Sequence, residues 1–403
     1  MLSLSMIVRD EADRLERCLA SVAGFVDEMV LLDTGSSDAT IAIAERCGAV
    51  VHQLAWPGDF APARNEALRH VAGDWVLVLD ADEVLSEQAR EPLRQLMADP
   101  DVLLINLLRH ELGAAMAPYS NVSRLFRRHP DIRWSRRYHA MVDDSVTALL
   151  EREPHWRLAD CPVPALLHDG YRPELLASGN KAQRLRAAME AELAERPGDA
   201  YACAKLGGLE LSEGRRERGL DLLHQGLQTC GPDDHPERYE LLLHLAIAET
   251  ADNPAAAAAR YREALALPLP PQLTLAARLN LATLLLEQPG PDPAHSLQEA
   301  AGLAQSAAAA APELPQGWRS LGLIERRRGR IAEAIAAYRR SLALEPEHPD
   351  TEQNLAAALL LGGDIEGARR GFGRAIALLQ AHGRNSEAQS LRQQAGALVK
   401  LDA

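Results

Sequence analysis

Residues 73–86 read GDWVLVLDADEVLS, and how this stretch is read decides the fold of the first half of the chain. Trp75 to Leu79 form a continuous apolar run, the mark of a strand covered on both faces. Asp80, Asp82 and Glu83 then arrive within four residues. Carboxylates rarely gather at the end of a core strand unless cationic groups compensate them.

The same rhythm extends upstream. "LSLSMIV" reads as a first strand, followed by Leu15, Cys18, Leu19 and Val22 at the i, i+3, i+4, i+7 spacing of a helix face. "EMVLLD" is a second strand, and "SSDATIAIAERCG" a helix with Ser37 or Asp38 as cap and Gly48 as stop. "AVVHQL" is a third strand. "APARNEALRHVAG" is a helix with Pro62 in its first turn, ending by Gly73. "DVLLINLLR" adds a strand after "WVLVLD". Strand and helix alternating in this way predict a doubly wound, mostly parallel α/β sheet.

From Tyr171 onward the strand signal vanishes and a 34-residue period takes over. Leu321, Gly322, Ala334 and Tyr338 map by that shift onto Leu355, Ala356, Ala368 and Phe372. Earlier copies sit at Leu206-Gly207, Leu245-Ala246 and Leu281-Ala282. Small residues where paired helices cross, at this period, resemble the tetratricopeptide repeat. Each pair hides its apolar face only against its neighbours.

Composition narrows the function. The 403-residue chain predicts at least two domains. A net charge of −14 argues against nucleic-acid binding. Lys is confined to positions 181, 205 and 400, so Arg carries nearly all positive charge. Five scattered cysteines without Cys-x-x-Cys fit reduced thiols and a cytoplasmic protein. No apolar run approaches the ~18 residues of a membrane span, and "MLSLSMIVRDE" reads as a strand rather than a leader.

Open parallel sheets bind ligands beyond the carboxyl ends of their strands. Three strands here finish on Arg9-Asp10-Glu11, on Asp33 and on Asp80-Ala81-Asp82. An Asp-x-Asp turn suits a hard divalent cation, which bridges protein carboxylates to a substrate diphosphate. Taken alone that turn is a common solvated one; its place among successive strand ends of one sheet gives it weight.

The segments "LSLSMIVRDEADRLERCLASV", "DEMVLLDTGSSDATIAIAERCGAVV", "DFAPARNEALRHVAGDWVLVLDADE" and "SRLFRRHPDIRW" together resemble glycosyltransferase family 2. More narrowly, they resemble its branch with C-terminal tetratricopeptide-like helices, which includes bacterial peptide S-glycosyltransferases. The resemblance covers residues 2 to 171 and implies a GT-A fold, a nucleotide-diphosphate sugar donor (UDP-sugar foremost), Mn²⁺ or Mg²⁺, and inversion at the anomeric carbon. It implies an α/β, Rossmann-like, mostly parallel catalytic domain at 1–170. A linking helix at 171–199, an all-α repeat solenoid at 200–385 and a capping helix at 386–403 follow.

Carried over by residue, Asp33 resembles the acid that reads the nucleobase, and Val8, Arg9 and Glu11 match the nucleoside pocket. Arg64 and Asn65 match a donor-site helix start. Asp80 resembles the ribose or metal contact, and Asp82 and His168 resemble metal ligands. His139 lies where relatives usually show Arg-x-His-Glu, and here Ala140 replaces the Glu. If that Glu is the base in relatives, Asp143, Asp144, Glu83 or His139 must substitute. The alternatives are a thiol acceptor, which depends less on a base, or a degenerate centre serving as a scaffold. The expected acceptor is a peptide, protein or glycan presented by the repeats, and a homodimer through them stays open. A nucleotidyltransferase lacks support, since no Gly-rich phosphate loop is present.

Overall fold

The computed structural model describes residues 1–114, 118–136, 140–169 and 181–399. His139, Tyr171, Lys400 and the start of the expected linking helix lie outside these residues. The chain divides into two compact units, Met1–Leu209 and Glu210–Ala403. The first therefore continues past residue 170 to take in the helix Lys181–Glu195 and most of Ala200–Ser212.

The first unit opens with β1 (Leu2–Val8), α1 (Leu15–Val22), β2 (Glu28–Asp33), α2 (Thr40–Arg46), β3 (Val50–Gln53), α3 (Phe60–Leu68) and β4 (Trp75–Val78). It continues through β5 (Glu83–Leu85), α4 (Arg90–Ala98), β6 (Val102–Glu111), β7 (Tyr119–Arg127), α5 (Asp143–Arg152), β8 (Arg157–Asp160) and β9 (Leu166–His168). The sheet runs β3-β2-β1-β4-β7-β6-β9-β5, with β8 beside β6. Its first four strands are parallel; β7 then pairs antiparallel to β4 and to β6. So the sheet is parallel where the alternation was legible and mixed beyond it.

Pleating sends successive side chains to opposite faces. Leu77 and Leu79 join Leu4, Met6, Leu15, Leu19 and Leu31 in one core. Val76 and Val78 join Val30, Ala61, Phe126, Trp134 and Leu149 in the other. A strand buried on both sides needs an unbroken apolar sequence, and "WVLVL" supplies it. The face of α1 is the expected one, with Leu15, Cys18, Leu19 and Val22 buried.

In the second unit the helices pack as antiparallel neighbours: Leu275–Glu287 with Pro293–Ala310, Pro315–Arg327 with Ile331–Leu344, and Pro349–Leu361 with Ile365–Ala381. Ala334, Tyr338, Leu355, Ala356, Ala368 and Phe372 share one buried core, which the helix Asn385–Gly396 completes with Ala388, Leu391 and Ala395. A Cβ on Gly322 would lie 2.6 Å from the Tyr338 ring, so the ring packs directly on helix backbone.

Candidate active site

Two of the three carboxylates of the "DADE" turn, Asp80 and Glu83, are compensated by arginines from α3, β6 and β7. Arg64, on α3, donates to Asp80 Oδ1 at 2.8 Å, and Arg124, on β7, to Asp80 Oδ2 at 2.7 Å. Arg124 also reaches Glu83 Oε2 at 2.6 Å, and Arg109, on β6, reaches Glu83 Oε1 at 2.8 Å. Glu83 is fully buried and further accepts the Asp80 backbone N–H at 2.9 Å. Burial favours the neutral acid, yet Arg124 and Arg64 outweigh it and hold the Asp80 carboxyl far below its usual range.

Asp82 points elsewhere. Its Oδ2 lies 3.3 Å from His168 Nε2 and 3.6 Å from Arg14. The pairing of β5 with β9 sets Glu83 opposite His168, and the Asp169 N–H bonds the Asp82 carbonyl at 3.2 Å, so sheet register brings the two together. His168 Nδ1 hydrogen-bonds Glu111, which also accepts from Arg109 at 2.8 Å. Burial pushes the imidazole pKa down, but the bonds to Asp82 and Glu111 prevail and raise it to about 9. Glu111 is correspondingly held at about 2, against the upward push of burial.

This arrangement suits a cation at Asp82 and His168. A ligating imidazole usually rests its other N–H on a carboxylate, the place Glu111 takes here. A cation replacing the Nε2 proton would leave that bond in place. Asp80 differs, because both its oxygens are engaged by guanidinium groups. Among the described residues no group of three His, Cys, Asp or Glu side chains has metal-site geometry. Two protein ligands, with phosphate oxygens and water completing the shell, is the pattern expected of Mg²⁺ or Mn²⁺ with a diphosphate.

At the other end of the site the β1–α1 and β2–α2 loops interlock. The Asp10 N–H donates to Ser36 Oγ at 3.0 Å, and Asp10 Oδ1 accepts the Ser37 N–H at 2.7 Å. The Glu11 N–H bonds Thr40 Oγ1 at 2.8 Å, and the Ala12 N–H bonds Asp38 Oδ2 at 3.1 Å. Asp33 Oδ1 accepts the N–H groups of Gly35 and Ser36, both at 3.0 Å; φ of +108° at Gly35 shapes that turn. Asp33 Oδ2 is buried with no hydrogen-bond partner among the described residues. Arg64 Nε and Nη1 are also buried and unpartnered, while the guanidinium lies 4.7 Å from the Trp134 ring. An orphaned carboxylate oxygen and an orphaned guanidinium edge are what a bound nucleotide would satisfy.

The remaining expected residues are placed as follows. Val8 is buried, Arg9 is exposed, and Glu11 accepts from Arg14 at 2.6 Å. Asn65 exchanges two 2.9 Å bonds with the Trp134 backbone, so its amide fixes that segment. Asp144 is engaged by Ser135, Arg136 and Arg196 and is held at about 2 against the push of burial. Asp143 is exposed at the start of α5 and accepts from Ser123 Oγ at 2.7 Å, one residue from Arg124. His139 lies outside the described residues. Ala140 packs against the second core of the unit. Arg109, Arg124 and Glu111 were not expected. Their signal was a charged residue at the end of an apolar strand in "INLLRHE", and Arg124 within "SRLFRR".

A glycosyl transferase family 2 model matches residues 3–158, and a tetratricopeptide repeat model matches residues 315–358. A TPR repeat-containing protein of Synechococcus elongatus is 44% identical over 390 residues, covering 96% of this chain and 95% of that one. An uncharacterized glycosyltransferase of Rickettsia felis is 31% identical over 136 residues, 32% of this chain and 48% of its own length. The SPbeta prophage-derived glycosyltransferase SunS of Bacillus subtilis is 24% identical over 180 residues, 43% of this chain and 40% of its own. The chain thus spans under half the length of these last two relatives. It carries a glycosyltransferase family 2 domain in its first half and a tetratricopeptide repeat in its second, and belongs with the TPR repeat-containing protein of Synechococcus elongatus that it matches over nearly its whole length.

Proposed function

We propose that this glycosyltransferase moves a sugar from a nucleoside diphosphate donor, UDP-sugar foremost, to a peptide, protein or glycan acceptor, with inversion and with a divalent cation. The observation that carries this reading is the pair of ends described above. Asp82 and His168, backed by Glu111, form a cation site, and Asp33, with its unpartnered buried oxygen, forms a base site.

Asp33 Oδ2, buried and without a partner among the described residues, would accept an N–H of the base, such as the ring N–H of uracil or guanine. Asp82 and His168 would hold the cation, Mn²⁺ or Mg²⁺, whose charge would stabilise a departing diphosphate. The unpartnered nitrogens of Arg64 add a phosphate or ribose contact from within the site. Arg109 and Arg124 balance Asp80 and Glu83, so those acids do not repel the anionic donor.

The acceptor attacks as the diphosphate leaves, and a base takes its proton. Asp143 is the better placed of the two α5 acids, because Asp144 is committed to Arg136 and Arg196. A thiol acceptor lessens that demand. The repeats present the acceptor, and the enzyme works in the cytoplasm. The second reading is a scaffold with a degenerate centre, favoured by Ala140 in place of the family Glu.

The test is hydrolysis of UDP-, GDP- and CMP-sugars, with Mn²⁺ and with chelator, followed by release of the nucleotide. Slow Mn²⁺-dependent release from one of the first two is expected. No release from any donor, with nucleotide binding intact, selects the scaffold.

A further inference from the structure

The β3–α3 connection carries two exposed aromatic side chains, Trp56 at 36% and Phe60 at 40% exposure. Their rings meet edge to face, with centroids 5.1 Å apart and 73° between the planes. Large apolar rings left in water cost free energy unless something covers them. The loop that bears them is conformationally set: Gly58 has φ of +87°, and Asp59 Oδ1 caps α3 through the Ala61 N–H at 3.1 Å.

Their place in the fold says what covers them. In β3 Gln53 pairs with Asp33, and the next residue, Leu54, bonds the Asp33 carbonyl at 2.9 Å. Trp56 follows two residues later. A crossover helix between parallel strands starts at the carboxyl edge of the sheet, and α3 packs across β1 and β2. Phe60 and Arg64 are i, i+4 on that helix and share a face; Arg64 reaches Asp80. The pair therefore lies on the connection that runs from the strand end beside Asp33 to the helix that bears Arg64. The sheet order places β3 and β2 on one side of β1, and β4 and the β9–β5 pair bearing the Asp82–His168 turn on the other. A donor laid across the edge, with its diphosphate at Asp82 and His168, puts its base at the Asp33 end. The end of β1, Val8-Arg9-Asp10, offers no ring there.

We propose that Trp56 and Phe60 form the stacking platform for the nucleobase of the donor, working with the in-plane contact of Asp33. Stacking on an aromatic face is tolerant of base identity, so the platform supplies affinity while Asp33 supplies selectivity. The proposal rests on the donor reading above, and its test separates the two.

Because both rings are exposed, Trp56→Ala, Trp56→Phe and Phe60→Ala are expected to fold as wild type. Binding of UDP and of GDP with Mn²⁺ is compared with binding of pyrophosphate with Mn²⁺. Trp56→Ala should weaken the bound nucleotide about tenfold to hundredfold and raise donor KM with kcat kept, leave pyrophosphate unchanged, and be largely rescued in Trp56→Phe. Phe60→Ala should act in the same direction, with the smaller loss.

Unchanged nucleotide affinity in Trp56→Ala and Phe60→Ala, with wild type binding normally, overturns the platform and leaves the donor site standing. A rise confined to acceptor KM overturns it likewise and assigns the rings to the acceptor. Equal losses for nucleotide and pyrophosphate overturn it as well, marking a structural role for the loop. Absence of any nucleotide binding in wild type overturns the donor reading and the platform together.

Discussion

Asp80 and Glu83 share the guanidinium of Arg124, and that shared cation lets two acids sit at the end of a core strand. Breaking a buried, hydrogen-bonded pair on one side leaves a charge uncompensated. The same logic sets Asp144, caught between Arg136 and Arg196. Its carboxyl is held at about 2, with burial opposing and the Ser135 and Arg136 bonds prevailing. A depressed folded-state pKa contributes stability that is complete above the unfolded value, near 4, and is lost as pH falls through about 2. Asp144→Asn should therefore lower stability at pH 7 by about 1 kcal/mol, solvent screening of the part-exposed carboxylate included. In urea titrations the gap to wild type should narrow from pH 7 to pH 3; a gap that widens contradicts the ion-pair account. At this scale the sequence showed which residues end the strands. It did not show their partners, because Arg109 and Arg124 meet Glu83 only after β7 pairs with β4 and β6 with β7, 26 and 41 positions along the chain.

Elements carry the next level of order. Among the parallel strands, β2 and β4 were readable because burial on both faces demands apolar runs, while β3 is a half-exposed strand read from its position in the alternation. The mixed half was harder to read: β5 and β9 are three residues each, too short for periodicity to show, yet they join the DADE turn to His168. In the repeats, the 34-residue frame revealed Gly322 as a contact position, and the structure gives the reason in the Tyr338 ring. Gly322→Ala should cost about 1–3 kcal/mol through overpacking. Gly302→Ala, on an exposed helix position with nothing within 4 Å of the added Cβ, should be neutral or stabilising by about 0.5–1 kcal/mol. Thermal unfolding of the two variants should separate them clearly; equal midpoints contradict the packing account of the repeat.

The whole molecule joins two kinds of physics in one chain. The first unit packs an apolar core against each face of its sheet and compensates Asp80 and Glu83 at one strand end with Arg64, Arg109 and Arg124. The second extends a core from one helix pair to the next, as a repeat array does. No helix among the described residues is long and apolar enough to cross a membrane. The change from α/β to all-helical structure was legible in the sequence, since strand-forming runs stop near Tyr171 and the last strand among the described residues is β9. The boundary at Leu209 was not, because a helix continues through it. The base that takes the acceptor proton was equally illegible: Ala140 removes the expected signal, and proton transfer depends on where the acceptor lies.

The central claim is that Asp82 and His168 hold a cation which holds the donor diphosphate, and calorimetric titration of UDP, GDP and CMP tests it most directly. Each nucleotide is titrated with and without Mn²⁺ into wild type, Asp82→Ala and His168→Ala. The account predicts Mn²⁺-dependent binding of UDP or GDP to wild type, with Asp82→Ala and His168→Ala each weakening it by tenfold or more. Nucleotide binding that ignores Mn²⁺ and survives both substitutions would contradict it.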